Sequence, residues 1–176
     1  MSNHSDILNQ FIKEAEAASA IVTNLSNEKS KFSEVILNIL KDEDDVLISV
    51  ENELYEDLFS ALIPKKNFIL NPTDDQLKSV RTGITSAFCG IASTGSICIS
   101  TKNHLANYIS MLCRNHIVII KNTNIIPGID YLFNNELFDK KITSSCSIIT
   151  GSSATADMGP LVRGVHGPGI LHIIII

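Results

Sequence analysis

Three short stretches gather the residue types that hold anions or move protons. The first, Gly90-Ile91-Ala92-Ser93-Thr94-Gly95-Ser96, leads into an apolar run. Gly95 permits a positive φ or a close backbone approach, and the hydroxyls of Thr94 and Ser96 offer hydrogen bonds to a carboxylate or phosphate. The alternative is a serine- and glycine-rich turn in which Thr94 bonds its own backbone. The second, Gly151-Ser152-Ser153-Ala154-Thr155-Ala156-Asp157, follows directly on the β-branched run 147–150. If that run is a strand of an open α/β sheet, the loop lies in the crevice where such folds bind ligands, with Ser153 and Thr155 as donors. Here the alternative is that Ser153 or Asp157 caps a turn. The third, Gly164-Val165-His166-Gly167-Pro168-Gly169, holds an imidazole between glycines. Histidine titrates near neutral pH, so His166 suits acid or base work, and Asp157 would fix its tautomer if the fold joined them. Otherwise His166 bonds a backbone carbonyl and organises the turn. His172, inside the apolar closing run, reads as a structural histidine.

The elements that must position these stretches follow from hydrophobic periodicity. Ile7, Phe11 and Ala15, then Phe32, Val35, Ile36, Ile39 and Leu40, form two amphipathic helical stripes before the acidic run 42–45. Beyond it, apolar runs at 46–50, 68–70, 97–100, 117–120, 147–150 and 171–176 read as strands. Helical patterns at 55–62, 106–113 and 129–138 separate them, and Thr73 with Gln76 gives a capping box for a short helix ending near Val80. Continuous β-branched runs without in/out alternation belong to strands covered on both faces. The expected fold is therefore α/β: a mainly parallel sheet with flanking helices, in one domain over 1–176, with 1–41 as a helical amino-terminal extension packed on it.

Composition narrows the function classes. The 176 residues are 44% hydrophobic and 19% charged with a formal net charge of -5, which excludes disorder and speaks against a nucleic-acid surface. The amino terminus shows neither a basic cluster nor an apolar signal core, so a cytoplasmic location is expected. The run 170–176 is far short of the roughly 20 residues that span a bilayer. Cys89, Cys98, Cys113 and Cys146 lack the close spacings of zinc or iron–sulfur ligands and read as reduced core thiols, so no metal and no cofactor is expected on this chain.

Taken together, Gly90 to Ser96 and the closing block resemble the LUD domain family of the lactate utilisation protein C type. In that block Ser153, Thr155, Ala156, Asp157, Val162, Gly164, Val165, His166, Gly167, Pro168, Leu171 and His172 fall in the order of the family's closing motif. The likeness is close from Ile84 onward. It implies an α/β fold similar to ribose-5-phosphate isomerase and the coenzyme A transferases. It also implies an accessory part in the oxidation of L-lactate to pyruvate, beside partner proteins that carry iron–sulfur clusters. On that reading His166 and Asp157 are the catalytic candidates, and Thr94, Gly95, Ser153, Thr155, Gly164 and Gly167 bind a small carboxylate or phosphate. The alternatives are a stand-alone isomerase- or transferase-like enzyme acting on a phosphorylated sugar or thioester, and a ligand-free structural subunit. Several positions depart from the family pattern. Ser93 replaces the usual acidic residue before Thr-Gly, Ser152 and Ala154 replace a proline and a basic residue, and Met158 follows Asp157 where an acid is common. Gly169 stands where a basic residue is frequent, with Arg163 as the nearby charge. No acid–base role carries over to position 93, and the weaker positive charge points to an altered ligand or to protein association.

Overall fold

The computed structural model describes residues 3–100, 103–133, 146–155, 162–164 and 167–176. Its centre is a six-stranded sheet made of β1 (Ile21–Asn24), β2 (Asp45–Ser49), β3 (Asn67–Ile69), β4 (Thr82–Ser86), β7 (Asn115–Ile120) and β12 (Ile170–Ile175). The spatial order is β1-β12-β7-β4-β2-β3, and every pairing is parallel. The closing strand thus lies inside the sheet, with Ile173 in register between Val22 and Val118. This position explains its composition, because both faces of Ile173 and its neighbours need apolar cover.

Helices α2 (Phe32–Ile39) and α3 (Asn52–Phe59) cover one face, where Phe32, Ile36, Leu54 and Phe59 pack on Val46, Ile48, Ile84 and Ile117. Phe59 is the hub of this layer, meeting Phe32 and Phe68 edge-on at centroid distances of 5.4 and 5.3 Å and stacking on Tyr55 at 5.9 Å. The opposite face carries α1 (His4–Ala17), α5 (His104–Leu112) and a second, four-stranded sheet. That sheet runs β8 (Ile125–Ile126), β5 (Cys89–Ile91), β6 (Ser96–Ser100) and β9 (Cys146–Ile149), with β6 antiparallel to both of its neighbours. Phe11 and Ala15 of α1 and Ile97 and Ile99 of β6 meet Val118, Leu171 and Ile173 between the layers.

The capping box forms as the sequence predicts: at the start of α4 (Asp74–Ser79) the Gln76 amide donates to Thr73 Oγ1 at 3.3 Å and the Thr73 amide donates to Gln76 Oε1 at 2.9 Å. Other features differ from the periodicity. β1 lies within the stretch read as a helical extension and forms an edge of the main sheet. β4, Thr-Gly-Ile-Thr-Ser, is a central strand although only one of its residues is strongly apolar. The runs 97–100 and 147–150 are strands, but of the second sheet. The helix at 129–138 is described as α6 over Ile129–Phe133, and its remainder lies outside the described residues.

Candidate functional site

The first sequence stretch is the β5–β6 hairpin. Thr94 is exposed at its turn, and its Oγ1 lies 2.7 Å from Ser96 Oγ, which lies 2.7 Å from Thr150 Oγ1. This hydroxyl chain joins the hairpin to the end of β9. Gly95 has φ 63°, and a Cβ there would overlap the Ala15 amide of α1. Gly151 repeats the arrangement, with φ 71° and a position whose Cβ would overlap the Ala18 carbonyl oxygen. Both glycines seat their loops on the end of α1, a packing role sufficient to explain the residue type.

The second and third stretches come together. The Ser153 amide donates to the Pro168 carbonyl at 2.7 Å, and the Gly164 amide donates to the Ser153 carbonyl at 3.0 Å. Between these bonds β10 (Ala154–Thr155) pairs antiparallel with β11 (Val162–Arg163). A Cβ on Gly167 would lie 3.3 Å from Ser153 Cβ, so these chains are in contact. Asp157 and His166 lie outside the described residues. The site this block occupies differs from the expected crevice, because β9 is not a strand of the parallel sheet. Pro168 leads into β12, whose first residue, Ile170, is in register with the first residue of β7 and donates its amide to the Arg114 carbonyl at 3.0 Å. The block therefore stands at the amino-terminal end of the parallel strands. It borders a cleft of about 510 Å³, lined also by Ser110 and Met111 at the end of α5.

The carboxyl-terminal ends of the parallel strands hold a larger crevice, of about 680 Å³. From β2 the chain crosses through α3 to β3, and from β4 it crosses through the second sheet and α5 to β7 on the other side. Adjacent strands whose connections diverge open a gap between their loops, the usual ligand position in open α/β sheets. Ser49, Val50 and Glu51 line it from β2, and Ser86 and Phe88 from β4. Ile99 and Ser100 come from β6, and Asn103, His104 and Ala106 from α5. Asn103 Oδ1 caps α5 by accepting from the amides of Leu105 at 2.9 Å and Ala106 at 3.3 Å. Serine hydroxyls from three strands, a helix amino terminus and an apolar wall of Phe88 and Ile99 suit a ligand with an anionic end and an apolar body. Glu51 and His104 are the ionisable side chains among these lining residues.

None of the residues selected from sequence lines this crevice among those described. Its serines sit at strand ends, and only the sheet order makes Ser49 and Ser86 neighbours. A second unanticipated residue is His116 of β7, fully buried, with Nε2 at 2.8 Å from Thr85 Oγ1 and Nδ1 without a partner among the described residues. Burial pushes its pKa down to about 3, and burial also lowers that of His172. All four cysteines are free. Among the described residues no group of three His, Cys, Asp or Glu side chains is arranged to hold a metal ion, and no helix is long and apolar enough to cross a membrane.

The family model of the LUD domain matches residues 8–176. The chain belongs to the LUD domain family. Curated relatives similar to this LUD domain are named Lactate utilization protein C. The protein of that name from Bacillus velezensis is 28% identical over 99 residues, which cover 53% of this chain and 41% of the relative. The Geobacillus sp. protein is 31% identical over 99 residues with the same shares, and that of Bacillus subtilis 28% over 96 residues. The chain thus spans about two-fifths of the length of these relatives. The fold is similar to the crystal structure of a DUF162 family protein from Deinococcus radiodurans, with a TM-score of 0.69 over 99% of both chains at 15% identity.

Proposed function

We propose that this LUD domain is an accessory component of a cytoplasmic L-lactate utilisation system, in which partner proteins carry the iron–sulfur clusters and this chain binds a small anionic ligand. The observation that carries the role is its likeness to proteins named Lactate utilization protein C. The crevice between β2 and β4 supports the ligand. Ser49 and Ser86 would donate hydroxyl hydrogen bonds, and the amino end of α5 favours negative charge by roughly 0.3–1 kcal/mol. The carboxyl-terminal block would form a second functional surface at the opposite end of the sheet. There Ser153, Thr155, Gly164 and Gly167 would hold it, with Asp157 orienting His166 against an anion or a partner.

The test is affinity isolation of the tagged full chain from its own cells, followed by partner identification, iron analysis and lactate-dependent dye reduction. Co-isolation of iron–sulfur proteins with lactate-dependent reduction is the expected result, and His166→Ala should abolish that reduction while leaving the thermal transition of the chain unchanged. A solitary chain that turns over a phosphorylated sugar or thioester would replace this reading with a stand-alone enzyme. Dye reduction unaffected by His166→Ala would remove His166 from the functional surface.

A further inference from the structure

Three of the four cysteines meet on the side of the second sheet turned away from the main core. Cys89 of β5 and Cys98 of β6 are direct cross-strand partners. Cys146 of β9 is in register with Ser100, two residues from Cys98 along the same strand, so both sulfurs lie on one face. All three share an apolar cluster with Ile91, Ile126 and Leu132. Directly opposed residues of an antiparallel pair have Cα atoms about 4.5–5.5 Å apart, inside the about 4.4–6.8 Å that a disulfide spans, so the register of Cys89 and Cys98 permits a bridge. Access differs among them: Cys89 and Cys98 are buried, whereas Cys146 on the edge strand is half-buried.

We propose that Cys89 and Cys98 form a reversible disulfide, and that Cys146 is the entry thiol through which a low-molecular-weight disulfide oxidises them. The Cys146 thiolate attacks one sulfur of the small disulfide, forming a mixed disulfide and releasing the first small thiolate. The Cys89 thiolate then attacks the Cys146 sulfur and the second small thiolate leaves. Finally the Cys98 sulfur attacks Cys89, its proton passing to Cys146 as that thiolate leaves. Two protein thiols lose two electrons and two protons in total, and the small disulfide takes them up as two thiols. The Cys89 S–H donates to the Gly90 carbonyl at 3.6 Å, and the paired thiols pull the Cys89 pKa down and, with burial, push that of Cys98 up. Cys113, at the end of α5 in a separate apolar cluster with Leu47 and Ile109, has its thiol pushed up to about 12 by burial and serves as an internal control. The residues next to the pair, Phe88 and Ile99, line the crevice between β2 and β4, so the bond would tie together two parts of its wall.

The experiment treats the folded full chain with oxidised glutathione near neutral pH, quenches with an alkylating agent, and measures intact mass and linked peptides. The expected product has lost two hydrogens, carries a Cys89–Cys98 cross-link, and alkylates at Cys113 and Cys146. In Cys146→Ser the same product should form at least about tenfold more slowly, because the attacking thiol with solvent access is gone. Four alkylated cysteines after treatment, or a cross-link involving Cys113, would overturn the site. Oxidation of Cys146→Ser at the wild-type rate would overturn the entry route. These readouts are covalent and do not depend on any ligand in the crevice.

Discussion

Lowering the pH should destabilise the protein through His116. The side chain is fully buried on β7, where Gly83 of β4 and Leu171 of β12 are in register with it. An imidazolium must donate from both nitrogens, Nδ1 has no partner among the described residues, and burial holds the folded pKa down to about 3 against an ordinary 6.5. Between these values the unfolded chain binds a proton that the folded chain refuses, so stability falls as pH drops below about 6.5 and the loss levels off near 3. One pKa unit is worth about 1.4 kcal/mol, so the loss at pH 5 is about 2 kcal/mol, and it approaches about 5 kcal/mol once the folded histidine also titrates. The assay is urea unfolding of the wild type and His116→Gln at intervals from pH 7.5 to pH 5. Glutamine can still bond Thr85 but does not titrate, so the difference between the two stability curves isolates position 116. His172 and the carboxylates contribute equally to both proteins. The wild type should lose about 2 kcal/mol more than the variant across this range. Parallel curves would refute the reasoning, because they would mean that water or backbone movement satisfies the charged ring.

Phe59→Ala should cost about 3–5 kcal/mol in chemical unfolding, since it removes a fully buried ring touching three others, and the contacts with Phe32 and Phe68 belong to different elements. Gly151→Ala should cost at least about 1–3 kcal/mol, because a positive φ is combined with overlap on the Ala18 carbonyl, and the thermal transition should fall accordingly. Thr73→Ala should cost about 1 kcal/mol by removing the reciprocal cap of α4, a loss measurable by urea unfolding and largely absent in Thr73→Ser.

The fold class was legible wherever burial on both faces forced a continuous apolar run. Ile117–Ile120 and Leu171–Ile176 are short and rich in β-branched residues, which favours covered strands over a buried helix, and their residues are almost wholly buried. β4 escaped for the opposite reason. As a central strand it should be the most apolar of all, but Thr82 and Thr85 are buried through hydrogen bonds, to Asn115 Nδ2 at 3.1 Å and His116 at 2.8 Å. Periodicity measures hydrophobicity, and a pair of satisfied polar groups inside a sheet removes the signal without removing the strand. The same pairing hid His116, whose importance depends on what Thr85 does.

The site was less legible because its decisive variable is strand order. A loop after an apolar run looks the same in sequence whether the run belongs to the parallel sheet or to a second antiparallel one. On that ground the stretch after β9 reads as a carboxyl-terminal crevice loop, whereas β9 pairs with β6 and the loop closes against Pro168 at the opposite end of the main sheet. Its glycines and hydroxyls still mark a real constraint: Gly95, Ser96, Thr150 and Gly151 fix two loops on α1, and Ser153 joins them to the chain entering β12. Small and hydroxylic residues are demanded both by ligands and by close backbone approach, so their density alone does not separate the two. Ser49 and Ser86 carry no such density, and their meeting follows only from the divergence of the chain after β2 and β4. A ligand-dependent shift of Ser86→Leu relative to wild type would therefore discriminate between the two ends of the sheet, because that substitution fills the crevice and leaves the Ser153 block untouched.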